Sequence, residues 1–517
     1  DVYHPEIFKG DLIYEKMKRH LPALHYWIGY AITLTTKDPV MTSHWMMFLE
    51  LLLSCIFIFL AICRISSLEA GIFGVLWFLH TRTFIQRLAS GLPRGWASVV
   101  ISCFFWLMVS ERNLGILALI PVFILLHPPA AFICCVAFGL FLVFKVLSSG
   151  AKSSHLKVLL YLIAASPFYG AIAYFVAKNP DYIGSMATLE RASKMPEFQR
   201  PFGRFPFLPF PSYWEDLLRW GMQPFLNKLY TPPYLLSLVM PWVVIGLVAF
   251  LLVYFRKNEQ YQRIAFTLTG IAFSYILARI FAFRLYVPNR YLQFPLGILE
   301  IVLCSGGVWY LLSSQRRTWR GFLGLGLLGT LVALCLGSGL YGNGNFNYWE
   351  TKKGKVFVWI RKNTPKDSLI AGHPTHINAV QLFGMRRGYA TTETAHPFYD
   401  KYYEEIKRRL VVSLKAHYAS TLKEVVDILE PEGVDFFVFA RKKFYPEALK
   451  KERYFAPLNS MVKALCSRHY TDYAYREMQK GVDGKFPPYV AFIDSESVVL
   501  DLKKLRSFLK DRLHGGF

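Results

Sequence analysis

The chain has 517 residues, 54% hydrophobic, 16% aromatic and 18% charged, with a formal net charge of +24. At a mean hydropathy of +0.29, such a composition excludes an ordinary soluble globular protein. The charge could suggest nucleic acid, but many basic residues fall in short loops beside apolar runs. Lipid headgroups and the positive-inside bias account for them there, and no basic–aromatic nucleic-acid motif accompanies them.

The chain opens on a short polar stretch, Asp1–Asp11, with carboxylates at Asp1, Glu6 and Asp11. Carboxylates at the lip of a membrane domain suit a general base or a divalent-cation ligand, or simply the capping of turns. The chain starts on Asp rather than Met, so we expect an upstream start and one further span. Residues 21–36 are short, semi-apolar and aromatic, which predicts an interfacial helix.

Apolar runs follow at 45–64, 68–80, 96–110, 113–127, 129–148, 156–177, 233–255, 263–282, 291–312 and 321–341. They predict about ten spans, of which 68–80 and 113–127 are short. Arg64, Arg112, Lys145, Lys152, Lys157, Arg256, Lys257, Arg263, Arg316, Arg317 and Arg320 fall on one side of these spans. The positive-inside rule makes that side cytoplasmic. The opening stretch and everything after Tyr341 are then extracytoplasmic, in a multi-pass protein of the inner (plasma) membrane.

The long loop 178–232 carries prolines interleaved with aromatics from Arg200 to Trp214. Such a segment cannot form a regular helix and suits a membrane-resting linker or a lid over a lipid-linked substrate. The Gly/Asn-rich stretch Tyr341–Asn347 reads as a linker. Beyond it, strands at 368–371, 433–440 and 489–493 alternate with helices at 353–362, 402–419 and 422–429, which predicts a partly parallel α/β sheet. No nucleotide-binding glycine motif is present. Seven of the eight cysteines lie in apolar runs and show no disulfide or zinc spacing.

The expected organisation is therefore a polytopic α-helical membrane domain at 44–341, preceded by an outer loop and interfacial helix at 1–43. A soluble extracytoplasmic α/β domain follows at 342–517. Basic candidates cluster toward the outer side: Arg279 inside a span, Arg284 near its end, Arg290 in Val287-Pro-Asn-Arg-Tyr291, and His80, Arg82 and Arg94 in or beside the loop 81–95. Guanidinium binds phosphate bidentately, although an arginine near the interface also snorkels to headgroups. Buried Glu50 and Glu300 are expected to pair with arginine or histidine, or Glu300 to stand as a protonated structural acid. His373, His376 and His396 show no third metal ligand.

These pieces resemble the GT-C superfamily of polytopic glycosyltransferases, and among them bacterial members with an outer α/β domain. The residues that carry the resemblance are Asp1–Asp11, Gly91-Leu-Pro-Arg94, Leu126-His-Pro128, Val287–Tyr291 and Trp359–Ile370. The resemblance implies transfer of a sugar from a polyprenyl-phosphate donor at the outer membrane face. It implies Asp1 or Asp11 as the base and Arg290 as the phosphate ligand, with a divalent cation as an optional cofactor. No Asp-Asp or Asp-Glu doublet stands in the opening stretch. Competing readings are a non-catalytic subunit scaffolding a membrane complex and a lipid-linked-sugar transporter.

Overall fold

The computed structural model describes residues 5–8, 10–89, 91–149, 154–178, 181–221, 223–224, 259–313, 326, 329, 354–445, 454–467, 472–479 and 486–514. Asp1, the run 233–255, the run 321–341 apart from 326 and 329, the linker Tyr341–Asn347 and Arg316, Arg317 and Arg320 lie outside them. The chain divides into two compact units, one built from 1–18, 179–210 and 345–517, the other from 19–178 and 211–344.

The second unit is helical. Among the described residues, five helices are long and apolar enough to cross a membrane: Pro39–Ile65, Pro128–Ser148, Ser154–Phe175, Glu259–Ile280 and Arg290–Trp309. Leu68–His80, Pro93–Val109 and Asn113–Leu126 are shorter apolar helices. The start of the Pro39–Ile65 helix follows from local chemistry. The Asp38 carboxylate accepts from Val40 N at 2.7 Å and Met41 N at 3.1 Å, and Pro39 needs no amide partner there. A helix, Ala23–Thr36, stands where the sequence predicts an interfacial one. The Trp96–Val109 helix is buried almost all round and forms the centre of this unit, packed against Pro39–Ile65. In the most apolar window of Arg290–Trp309 94% of the residues are buried, whereas in that of Ser154–Phe175 0% are, and that helix presents its apolar surface outward.

One polar network sits inside this unit. Arg263 is 1% exposed and donates to Asn113 Oδ1 at 2.8 Å and Glu259 Oε1 at 2.9 Å. Lys145 and His155 lie 3.6 and 3.8 Å from the same Glu259. The Glu259 carboxylate thus ties three helices together and Arg263 adds a fourth through Asn113, so these basic residues are not simply headgroup-facing loop charges.

The first unit contains a five-stranded sheet in the order β2-β1-β3-β5-β4, with β1 Leu369–Gly372, β2 Arg387–Gly388, β3 Phe436–Ala440, β4 Val490–Ile493 and β5 Ser497–Asp501. β1 is parallel to β2 and β3, and β5 is antiparallel to β3 and β4. The expected partly parallel sheet is therefore present, with helices at Lys355–Asn363, Asp400–His417 and Leu422–Leu429. Ile370, Val438 and Val499 share a core with Phe357 and Ile360 from the first of these helices.

Residues 181–210 belong to this unit and are strapped to the Asp400–His417 helix. Asp400 accepts from Ser185 N at 2.7 Å, Ser185 Oγ at 2.5 Å and Arg191 Nη1 at 2.7 Å. Burial pushes the Asp400 carboxyl up, but these bonds outweigh it and hold it at about 2. Gly184, at φ +89°, is required here, since a Cβ would collide with the Asp400 carboxylate. Glu197, 1% exposed, accepts from Tyr403 Oη at 2.9 Å and Lys407 Nζ at 3.0 Å. Phe205 packs against Phe398 and His396. The proline–aromatic stretch read as one membrane-resting linker or lid is thus divided: 200–210 is docked within this unit, and 211–214 belongs to the helical one.

Candidate functional site

The Val287-Pro288-Asn289 turn delivers the short Arg290–Gln293 helix, which packs against the Pro128–Ser149 helix and the Leu217–Gly221 turn. Arg290 is half-buried and donates from Nη1 to Gln293 Oε1 at 3.0 Å. Asn289 Oδ1 and Gln293 Nε2 are buried and have no hydrogen-bond partner. The Arg290 charge also acts on His127, whose Nδ1 accepts from Ala130 N at 3.2 Å at the start of the Pro128–Ser149 helix. No carboxylate lies within ion-pair distance of Arg290 among the described residues. A half-buried guanidinium beside an orphaned amide N–H and a helix N-terminus forms an arrangement that favours an anion.

Arg279 differs. Its Nη1 lies 3.8 Å from Asp216 Oδ2 and 3.2 Å from Tyr275 Oη, and its Nη2 donates to Pro211 O at 2.9 Å. Tyr275 Oη donates to Asp216 Oδ2 at 2.5 Å, and the guanidinium stacks on Tyr213 at 4.2 Å. This intramembrane arginine is therefore neutralised by Asp216, a residue that sequence reasoning did not single out. The available signal was an acid in the aromatic loop, but nothing in its spacing points to a partner 63 positions away. We expect Asp216→Ala to destabilise the protein by roughly 3 kcal/mol, because it leaves a buried charge unpaired. Thermal unfolding in detergent checks this. An Asp216→Ala, Arg279→Leu double variant should recover part of the loss.

Arg284 is exposed. His80 is half-buried, and its Nδ1 engages Leu76 O of its own helix at 2.8 Å. Arg82 opens the Arg82–Leu88 helix, with its side chain outside the described residues. Arg94 donates from Nε to Arg87 O at 3.1 Å. Glu50 and Glu300 are buried, and neither oxygen of either has a hydrogen-bond partner. Among the described residues no hydrogen bond or ion pair joins either acid to an arginine or histidine, although the Arg94 charge acts on Glu50. Glu50 instead fills the space left by the missing side chain of Gly95.

Asp11 lies in the first unit and caps the Leu12–His20 helix by accepting from Tyr14 N at 2.8 Å. Burial raises its carboxyl above the ordinary range, while the Tyr14 amide and the charges of Arg409 and Arg387 pull it back. On the same helix Lys16 is 1% exposed, its ammonium over the Tyr402 ring at 5.3 Å and without a hydrogen-bond partner. Burial draws it down to about 7.

Among the described residues no group of three or more His, Cys, Asp or Glu side chains could hold a metal ion. His373 is engaged by Tyr454 Oη at 2.7 Å and Thr375 Oγ1 at 3.1 Å, and His376 by Ser497 Oγ at 2.8 Å. We therefore route no step through a divalent cation.

No family model and no curated protein matches the chain. Solved structures with some likeness include the Archaeoglobus fulgidus oligosaccharyltransferase complexed with Zn and sulfate, at a TM-score of 0.49 and 11% identity, covering 86% of this chain and 62% of that one. The apo form scores 0.47 at 11% identity, covering 83% and 62%. The same organism's oligosaccharyltransferase AglB, complexed with an inhibitory peptide and a dolichol-phosphate, scores 0.45 at 12% identity, covering 86% and 64%. The chain thus spans less than two thirds of the length of these proteins. Scores below 0.5 at this identity establish neither fold nor activity.

Proposed function

We propose that the chain is a GT-C-like membrane glycosyltransferase that moves a sugar from a polyprenyl-phosphate donor to an acceptor at the outer membrane face. The observation that carries this reading is Arg290: a half-buried guanidinium with orphaned polar neighbours and no carboxylate among the described residues. Arg279 is committed to Asp216 and Arg284 is exposed, so Arg290 is the arginine we assign to the donor phosphate. Arg82, Arg94 and His80 remain accessory candidates for the same substrate.

In this reading Asp1 or Asp11 takes the proton of an acceptor hydroxyl. The acceptor oxygen attacks the anomeric carbon, and the bond from that carbon to the phosphate oxygen breaks. The electron pair leaves with the polyprenyl phosphate, whose charge Arg290 stabilises. The raised carboxyl of Asp11 supports a role in proton transfer. Transfer of radiolabelled sugar from a polyprenyl-phosphate donor by purified protein tests the proposal. Binding of that donor without turnover under any acceptor would leave the scaffold reading.

The orientation is also a proposal, resting on the basic loop residues. Protease added to spheroplasts should release the domain that follows residue 345. Cleavage only in inverted vesicles would reverse the topology.

A further inference from the structure

The chain up to Lys18 belongs to the sheet-containing unit, and the Leu12–His20 helix lies on that unit through a narrow face. Ile13 and Lys16, three residues apart on this face, are buried, whereas Met17 and Lys18 are exposed. Burying Ile13 therefore carries Lys16 in with it. Inside, the ammonium meets the Tyr402 ring of the Asp400–His417 helix and no hydrogen-bond acceptor. The Tyr402 hydroxyl is spent on Thr394 O at 2.8 Å. Asp11 caps the helix from its own end, and Glu15 accepts from Tyr182 Oη at 3.4 Å, an exposed bond at the long end of the range.

An ammonium held in this way is costly. It has three donors, water serves them all, and one ring face offsets only part of the lost hydration. The neutral amine avoids most of that cost. Docking the helix and holding a proton on Lys16 therefore oppose each other. An ordinary lysine titrates near 10.5, and this one, docked, at about 7. The charged and titratable groups on the elements packed here are Asp11 and Glu15 on its own segment, Tyr402 and Arg409 on the facing helix, and Arg387 on β2. Arg409 and Arg387 act on Asp11, and a guanidinium keeps its charge at any such pH. Burial pushes the Tyr402 hydroxyl up, out of the range in which Lys16 changes charge.

We propose that the Leu12–His20 helix is a pH-gated latch, docked on the sheet-containing unit through a neutral Lys16 and released when Lys16 takes up a proton. Asp11, at the start of the helix, leaves its buried surroundings with it. The latch does not rest on the transferase reading. Hydrogen exchange of the full chain in nanodiscs, read by mass spectrometry over residues 12–18 and corrected for intrinsic rates, tests it. Between pH 7 and pH 10 the released helix holds a proton that the docked helix lacks. Opening should therefore become about tenfold rarer with each pH unit, and should level off below pH 7, where both forms hold it. Residues 12–18 should also exchange well before the buried helix Leu422–Leu429 of the same unit. Lys16→Met places a thioether on the ring and should abolish the slope, protecting the helix at pH 7 at least as well as the original chain at pH 9. Lys16→Arg keeps its charge and should leave residues 12–18 unprotected throughout. A slope in Lys16→Met equal to that of the original chain overturns the proposal. So does a flat profile in the original chain, or equal protection of residues 12–18 and 422–429, which would mean release only by unfolding of the whole unit.

Discussion

Under the proposed function, Arg290→Ala should weaken donor binding by roughly 10- to 100-fold, the usual range for losing a hydrogen-bonded charge contact to an anion. The reason is local. Arg290 already spends Nη1 on Gln293, which fixes the plane of its fork, and it has no carboxylate partner among the described residues to satisfy the rest. Arg290→Lys should recover only part of the loss, because an ammonium cannot serve Gln293 and a phosphate with one rigid fork. The measurement is the affinity of purified protein in nanodiscs for a polyprenyl phosphate. Asp1→Asn and Asp11→Asn make the complementary test. The variant that removes the base should lose turnover yet keep donor affinity within about twofold, since a base acts in the transition state. Donor affinity untouched in Arg290→Ala would remove the phosphate assignment.

A second large effect is expected on lowering the pH. His373 and His417 are both fully buried in the sheet-containing unit, ring centroids 4.7 Å apart. Burial, with each other and with His376 and Lys443 nearby, holds both well below the ordinary histidine range. In the unfolded chain they titrate near 6.5. Below that pH the unfolded state binds more protons than the folded one, so stability falls as pH falls. Two such groups give a slope of about 3 kcal/mol per pH unit. The window between about 4.5 and 6.5 belongs to the histidines, because the carboxyls of Asp400 and Glu405, held at about 2, begin to cost stability only lower down. His417→Phe separates the contributions. Neither ring nitrogen of His417 has a partner, and the ring already stacks on Phe444 at 4.4 Å. Phenylalanine should therefore raise stability at neutral pH and about halve the acid slope, as read from chemical denaturation at pH 5, 6 and 7. An unchanged slope would show that the acid sensitivity lies elsewhere.

Much of the architecture was legible because it is written in local periodicity. Apolar runs marked the described spanning helices, and the strands at 369–372, 436–440 and 490–493 stood where apolar β-branched and aromatic residues gather. β5 was missed, although its turn carries a signal: Asp494 Oδ1 accepts from Glu496 N and Ser497 N, a tight reversal straight after β4. The sorting of the arginines was not legible. Arg279 and Arg290 sit in similar apolar, outward contexts in the sequence, and what separates them is Asp216, brought to one of them by the fold.

The sequence by itself determined that this is a helical membrane chain with an appended α/β sheet. Hydrophobic length and alternation are local quantities that water and lipid read directly. Only the tertiary structure decided which charges are satisfied. It paired Arg279 with Asp216 and Glu197 with Lys407, and it brought Arg87 and Arg219 to one tryptophan. Such partners are distant in sequence, and an ion pair leaves no period in the chain, since its energy depends on a separation that only packing sets.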